Sequence, residues 1–274
     1  MKKVLVFILA LMTISFVFAG CNPAPSDDAQ KTVDVSESVS ADTSVPAAES
    51  PASGNAPALS TGTAAESYSA YVNAKTAVIT KLSEGLSSNE QTAFASMTML
   101  GVTMADLVML PAGFFGAGEE SVNAGLSLFG YIDIKYTENG NSYSVSYTDN
   151  QGDSYVFSGT YDAAADALVC TAQKNGKDYF FSEYRRTSYG YVSQYYFIND
   201  DGTTGLYQFT LSGADGALGY STTQTSQPAA LTGSESADFP TALPEWYSIT
   251  GSAIKGVMSD GTEVNFEYVP KPSE

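Results

Sequence analysis

The 274-residue sequence contains no histidine, the commonest general base and the commonest metal ligand of proteins. A Ser-His-Asp triad, a Cys-His dyad and a histidine-ligated zinc site are therefore excluded. Only two cysteines are present, Cys21 and Cys170. Cys170 closes the apolar run 167–170, which favours a buried, small apolar side chain over a reactive thiol.

Basic residues are also scarce. Twelve lysines and arginines stand against 30 aspartates and glutamates, which gives a net charge of -18. Removal of a signal segment containing Lys2 and Lys3 leaves 10 basic and 30 acidic residues and a net charge of -20. Such a surface repels nucleic acid, so we expect no nucleic-acid partner. The same charge suits a solvated extracytoplasmic surface.

The first 21 residues have the anatomy of a bacterial export signal. A basic start precedes the apolar stretch 4–18, which is too short and wrongly flanked for a transmembrane helix. The motif Phe18-Ala19-Gly20-Cys21 resembles the lipobox of bacterial lipoproteins, with Phe18 where that family prefers leucine. The resemblance implies cleavage before Cys21 and attachment of a diacylglycerol, with acyl chains such as palmitate, to its thiol. The mature protein would then be lipid-anchored on the extracytoplasmic face of the cell membrane. The alternative is a plain secreted protein.

The segment after Cys21 has a different composition. It is rich in Pro, Ala, Ser, Thr, Asp and Gly and has no aromatic residue up to about residue 65. Such a sequence cannot bury enough apolar surface to fold, which predicts a disordered linker. We therefore expect a signal peptide at 1–20, a linker at 21–65 and a single globular domain at 66–274.

Helices are predicted at the start of this domain. Thr63 and Glu66 have the spacing of a capping box, and Gly85 is a typical stop. Apolar side chains recur between them at helical spacing: Tyr68, Tyr71, Val72, Ile79, Leu82 and Leu86. A second box at 88–91 predicts a helix that ends at Gly101 with Phe94, Met97 and Leu100 facing inward. A short third helix is predicted from Thr103 to Leu110, before Pro111.

Residues 97–116 are strongly apolar, and Asp106 is their only charged residue. One interpretation is a helical hairpin buried against a sheet. The other is a segment that touches a membrane or lines an apolar ligand site, because methionine adapts to irregular apolar shapes. The candidate ligand-binding residues are Met97, Met104, Met109, Phe114 and Phe115. Residues 111–118 favour a loop, with a mobile lid as the alternative, and residues 119–128 favour another short helix.

Residues 129–222 predict an antiparallel β-meander. Polar-glycine turns recur along this stretch at Asn139-Gly140, Gln151-Gly152-Asp153, Asn175-Gly176, Asp201-Gly202 and Asp215-Gly216. Between the turns apolar and polar residues alternate, as in Tyr143, Val145 and Tyr147, which indicates strands with one buried and one wet face. Residues 223–244 lack periodicity and predict a surface excursion. Returning strands follow the only tryptophan, Trp246, with a further turn at Asp260-Gly261.

Three other features are candidate sites. The acidic turns 149–153 and 199–202 could hold calcium but need no metal as hairpin turns. Arg185 and Arg186 could bind an anion, although a salt bridge with Glu183 is the simpler interpretation. Several tyrosines could stack against sugar rings, or they could simply be good strand residues: Tyr179, Tyr184, Tyr189, Tyr191, Tyr195 and Tyr196.

The expected fold class is α+β, with N-terminal helices packed on a large, curved antiparallel sheet. This arrangement loosely resembles the half-barrels of lipoprotein carriers, in which a curved sheet closes over helices. We expect a non-enzymatic, lipid-anchored envelope protein without a cofactor or metal. It would bind an apolar or amphipathic ligand, or a lipoprotein partner, between helices and sheet. The alternative is a surface interaction or carbohydrate-binding module that uses exposed tyrosines.

Overall fold

A computed structural model describes residues 62–270 of the chain. The predicted signal peptide, most of the predicted linker and Cys21 lie outside the described residues. Within residues 62–270 there are three α-helices: α1 (Ala64–Ser87), α2 (Thr98–Val108) and α3 (Glu119–Ser127). Short 3-10 helices at Ala93–Met97 and Leu110–Phe114 flank α2.

Helix α1 begins with the predicted capping box. The backbone N–H of Glu66 donates to Thr63 Oγ1 at 3.3 Å, and the backbone N–H of Thr63 donates to Glu66 Oε2 at 2.7 Å. Each of the two side chains thus accepts a hydrogen bond from a backbone N–H that has no partner within the helix, and this capping box defines where the helix starts. The helix continues two residues past Gly85, the predicted stop, to Ser87. Gly85 is needed for packing, because a Cβ there would lie 2.1 Å from Ile254 Cδ1.

The inner face of α1 is mostly as predicted. Tyr68, Tyr71, Leu82 and Leu86 are buried, whereas Val72 and Ile79 are only half-buried. Two polar side chains share the inner face and were not predicted there, Ser67 and Lys75. The ring of Tyr71 stacks on Tyr184 of the sheet with centroids 4.4 Å apart.

The predicted inward face of the helix that ends at Gly101 is wrong. Phe94, Met97 and Leu100 are exposed, and their neighbours Ala95, Met99 and Val102 are buried instead. The 3-10 turn at Ala93–Met97 has a shorter period than an α-helix and rotates the chain as it enters α2. Gly101 does not end a helix but lies inside α2, so a single helix replaces the two predicted ones.

Residues 111–118 are not an irregular loop throughout. Pro111 lies in the first turn of the 3-10 helix Leu110–Phe114, where its missing N–H has no cost. Phe115, which follows, is fully buried. The short helix predicted at 119–128 is confirmed as α3.

The sheet has eleven strands in chain order, and every neighbouring pair is antiparallel, as predicted. The strands are β1 (Ile132–Asn139), β2 (Ser142–Thr148), β3 (Ser154–Asp162), β4 (Ala167–Lys174), β5 (Lys177–Arg186), β6 (Tyr191–Ile198), β7 (Thr204–Ser212), β8 (Asp215–Ser221), β9 (Glu245–Thr250), β10 (Ala253–Val257) and β11 (Glu263–Glu267). The sheet is open, with β1 and β11 at its edges, so the half-barrel-like α+β class is correct.

Most predicted turns join the strands that flank them. At Asn175-Gly176 both residues have positive φ, 51° and 75°, as a two-residue hairpin turn requires. The turn predicted at Asp215-Gly216 is wrong, because β8 already begins at Asp215 and the reversal is at Gly213-Ala214. Gly213 supplies the positive φ of 63°.

The two faces of the sheet are buried by different parts of the chain. Tyr143, Phe157 and Phe209 face the helices and are buried, as the alternation predicts. The opposite face is not wet throughout: over β5, β6 and β7 it carries a second buried cluster, Phe181, Tyr196 and Leu206. Residues 223–244 cross this outer face. The backbone N–H of Leu231 donates to Glu183 Oε2 at 2.9 Å, which fastens the segment to the sheet.

Candidate functional site

The main exposed apolar feature near the predicted ligand site is a stripe on the outside of α2 and the 3-10 turn before it. Its members are Phe94, Met97, Leu100 and Met104, which are 83%, 64%, 49% and 56% exposed. Spacings of three and four residues place them on one side of the two consecutive helical segments. We call this set the apolar stripe.

The opposite side of α2 is packed on the domain. Met99, Val102 and Ala105 are buried in the main core. Gly101 allows the close approach, since a Cβ there would lie 2.0 Å from Tyr207 Oη on β7. The same hydroxyl donates to the backbone oxygen of Thr98 at 3.3 Å. The apolar stripe therefore faces solvent, because the other side of the helix packs against the sheet.

A buried polar cluster also fixes the orientation of α2. Lys75 of α1 is 1% exposed, and its ammonium group pairs with Asp106 of α2, whose side chain is 36% exposed. Lys75 Nζ donates a second hydrogen bond to Tyr195 Oη on β6 at 2.8 Å. Burial lowers the pKa of Lys75 below the usual lysine value, and the Asp106 carboxylate opposes this shift. One charged contact thus joins both helices to the sheet.

A second buried polar cluster ties the start of α1 to the turn between β3 and β4. Asp166, in that turn, is fully buried at a positive φ of 45°. Its carboxylate accepts from the Ser67 hydroxyl and lies 3.5 Å from Arg186 Nη1. Arg186 also donates to Tyr191 Oη at 2.9 Å. The salt-bridge partner of Arg186 is therefore Asp166, whereas Arg185 Nη2 lies 3.8 Å from Glu183 Oε1, the predicted partner. Both guanidinium groups already pair with carboxylates, which disfavours an anion pocket built on the two arginines.

The five predicted ligand-binding residues do not lie on one surface. Met97 and Met104 belong to the apolar stripe, whereas Met109 and Phe115 are fully buried. Phe115 stacks on Tyr143 of β2, with centroids 4.6 Å apart and planes 11° apart. Phe114 is half-buried against Gly125 of α3. Their role in ligand binding stays a prediction, but only the two exposed methionines are accessible to a partner without rearrangement.

In comparisons with known proteins, the chain matches no family model, no curated protein and no solved structure. Among residues 62–270, no helix is long and apolar enough to cross a membrane.

The remaining sequence-predicted candidates are engaged within the fold. Four of the six tyrosines proposed to stack on sugars are buried, namely Tyr184, Tyr191, Tyr195 and Tyr196. In the acidic turns, Asp149 and Asp201 accept backbone N–H groups of their own loops. No group of three or more metal-ligating side chains occurs in the described part of the chain. Cys170 is buried, as expected, and burial raises the pKa of its thiol.

The sequence contains an indication of the Lys75–Asp106 pair that the predictions above did not include. Asp106 is the only charge between residues 97 and 116, and Lys75 interrupts the apolar face of α1 four residues after Tyr71. Two lone, opposite charges on two apolar helical segments are candidates for an ion pair that is at least partly buried. Because the two residues are 31 positions apart in the chain, local spacing does not predict that they pair; the packing of the two helices brings them together.

Proposed function

We propose that this protein is a non-enzymatic, lipid-anchored extracytoplasmic protein that binds the acyl chain of an amphiphilic ligand through the apolar stripe. The observation that carries the proposal is the exposure of Phe94, Met97, Leu100 and Met104 on one side of a helix whose other side is fixed to the sheet. Contiguous exposed apolar surface is uncommon on soluble domains and usually marks a contact site.

The chemistry of the stripe supports an acyl chain. Two of its four members are methionines, which adjust to flexible apolar partners at little cost. The stripe itself carries no charge, so recognition there would depend on apolar contact rather than on a headgroup. In this proposal a lipid on Cys21 holds the domain close to the bilayer, where acyl chains of lipids and lipoproteins are found.

The test is native mass spectrometry of the chain from Asn22 onward after incubation with a lysophospholipid. We expect the wild-type protein to retain lipid and the double variant Leu100→Ser/Met104→Ser to lose it. The matched control is Val156→Ser, which makes the same apolar-to-polar change at an exposed position on the outer face of β3. Equal retention by the double variant, or no retention by the wild type, would refute the proposal.

A further inference from the structure

A cleft on the outer face of the sheet, opposite the helices, has the features of a small-molecule site. It lies over β7, β8 and β9 and has a volume of about 550 Å³. Small-molecule sites commonly fall between about 300 and 1,000 Å³. Its floor is one row of paired residues, Thr210, Ala217 and Ser248.

The strand register places this cleft away from α1. A Cβ at Gly216 would lie 3.1 Å from Val78 of α1, so that side of β8 faces the helix. Gly219, three residues later, points the other way, since its Cβ would lie 2.2 Å from the Pro240 oxygen in the 223–244 segment. Ala217 shares the side of Gly219 and lines the cleft.

Hydrogen bonds attach the 223–244 segment, which forms one wall of the cleft, to the sheet and to the loop at Tyr189. Thr210 Oγ1 donates to the backbone oxygen of Ala237 at 2.7 Å, which fixes the 223–244 segment along one side. The Tyr189 hydroxyl donates to the backbone oxygen of Glu235 at 3.1 Å. These two hydrogen bonds fix the position of the 223–244 segment beside the cleft.

Trp246 supplies an aromatic platform in the cleft. It is half-buried on β9, on the same side of the strand as Ser248 and Thr250, and lines the cleft with both. An indole ring presents a flat apolar face together with an N–H donor. The face of a pyranose ring that carries axial C–H groups packs well against such a surface.

Hydroxyl groups without a partner among the described residues line the rest of the cleft. The side chains of Ser212, Thr241 and Thr250 line the cleft and make no hydrogen bond within residues 62–270. Asp215 is held in place, because its Oδ1 accepts from Lys81 Nζ at 2.9 Å and from the Gly251 N–H at 3.1 Å. Its second oxygen remains available as an acceptor for a ligand hydroxyl.

The charge of the cleft selects among ligands. Asp215 and Asp238 line it, and none of the described lining residues is cationic. The Lys81 ammonium, 2.9 Å from Asp215 Oδ1, offsets one of these two charges and leaves the cleft with one net negative charge. The cleft therefore disfavours an anionic ligand, whereas a neutral polyol can donate hydroxyl hydrogens to the carboxylates. We propose that this cleft binds a neutral oligosaccharide, with one sugar ring stacked on Trp246 and the hydroxyls of an adjacent sugar unit bound by Asp215, Ser212 and Thr250.

The single tryptophan makes the test direct. The full-length chain, in a detergent without a sugar headgroup, is first applied to an array of neutral and acidic glycans. The tryptophan emission is then titrated with the best neutral glycan, and separately with spermidine as a cationic probe. We expect a saturable change with the neutral glycan only. Binding of acidic glycans alone, a response to spermidine alone, or no bound glycan would overturn the proposal.

Three variants locate the site. Trp246→Leu retains apolar bulk but removes the ring, and we expect affinity measured by calorimetry to fall about tenfold or more. Thr250→Val removes one hydroxyl at the rim, and we expect a loss of several-fold. Thr171→Val makes the same change on the outer side of β4, away from the cleft, and should bind as wild type. Unchanged affinity in both Trp246→Leu and Thr250→Val would overturn the assignment, provided their circular dichroism spectra match wild type.

Discussion

Lys75 on α1 donates a hydrogen bond to the hydroxyl of Tyr195 on β6 at 2.8 Å while it pairs with Asp106 on α2. The two partners of the ion pair are unequally exposed, since Lys75 is buried and Asp106 reaches solvent. Loss of one partner should therefore have a different cost from loss of the other.

We predict that Asp106→Asn destabilises the protein by about 3 kcal/mol, because it leaves a buried ammonium group unpaired. Lys75→Met should cost less than about 1.5 kcal/mol, because the methionine fills the space and Asp106 can be hydrated. Urea unfolding followed by Trp246 emission measures both. A larger cost for Lys75→Met than for Asp106→Asn would contradict this account of the pair.

The same pair predicts a pH dependence. Burial lowers the pKa of Lys75, so the folded protein holds this proton less tightly than the unfolded chain, and Asp106 opposes that shift. The cost of keeping Lys75 charged is therefore present at neutral pH and disappears as the pH rises through its folded-state pKa. The stability gap between Asp106→Asn and wild type should narrow between about pH 7 and pH 10.

Gly101 of α2 packs against Tyr207, and this contact predicts a specific steric effect. Gly101→Ala should destabilise by about 1–3 kcal/mol, because its Cβ would overlap Tyr207 Oη. Removal of that oxygen in Gly101→Ala/Tyr207→Phe should recover part of the loss. Gly113→Ala is the matched control, since a Cβ there meets nothing within 4 Å. Equal melting temperatures for Gly101→Ala and Gly113→Ala would show that the close approach is not needed.

The predicted ligand residues should separate into structural and accessible groups. Phe115→Ala removes a fully buried ring that stacks on Tyr143, and we predict a loss of about 3–5 kcal/mol. Met104→Ser alters an exposed side chain and should stay within about 0.5 kcal/mol of wild type. Unfolding in urea measures both values. A stability loss in Met104→Ser as large as that in Phe115→Ala would mean that the apolar stripe is covered in solution.

Glu183 should make stability depend on mildly acidic pH. Burial raises the pKa of its carboxyl above the ordinary 4.5, although hydrogen bonds from Leu231 and Gln194 oppose the shift. The folded protein binds this proton more tightly than the unfolded chain does. Glu183 therefore adds to the free energy of unfolding below its unfolded-state pKa, and this stabilisation is lost as the pH rises through its folded-state pKa. Glu183→Gln should therefore gain stability relative to wild type between about pH 4.5 and pH 7.5.

Melting temperatures at the two pH values test this prediction, with the exposed Glu120→Gln as the control. The glutamine at 183 can still accept the Leu231 N–H, so the 223–244 segment should remain fastened. Glu183→Ala lacks that acceptor and should lose stability at both pH values. A wild-type-to-Glu183→Gln difference that does not change with pH would contradict the assignment.

Local sequence signals predicted the parts of the fold that depend on neighbouring residues. The capping box at Thr63 and Glu66 defined the start of α1, and Asn175-Gly176 defined a hairpin, because both act over three or four residues. Alternation placed Tyr143 and Phe209 on the buried face. The register of residues 88–104 was missed, because a 3-10 turn and an α-helix show similar apolar spacing but rotate the chain differently.

The sequence by itself determined the meander, its antiparallel pairing and most of the inner face of α1, since period-two alternation, helical apolar spacing and turn chemistry are local properties. Only the tertiary structure decided which side of α2 meets the sheet, that Lys75 and Asp106 pair, and that residues 223–244 build a cleft beside Trp246. Those outcomes depend on contacts between residues far apart in the chain, such as Gly101 with Tyr207 and Leu231 with Glu183. Hydrophobic spacing predicts that a face is buried, but it carries no information about what that face is buried against.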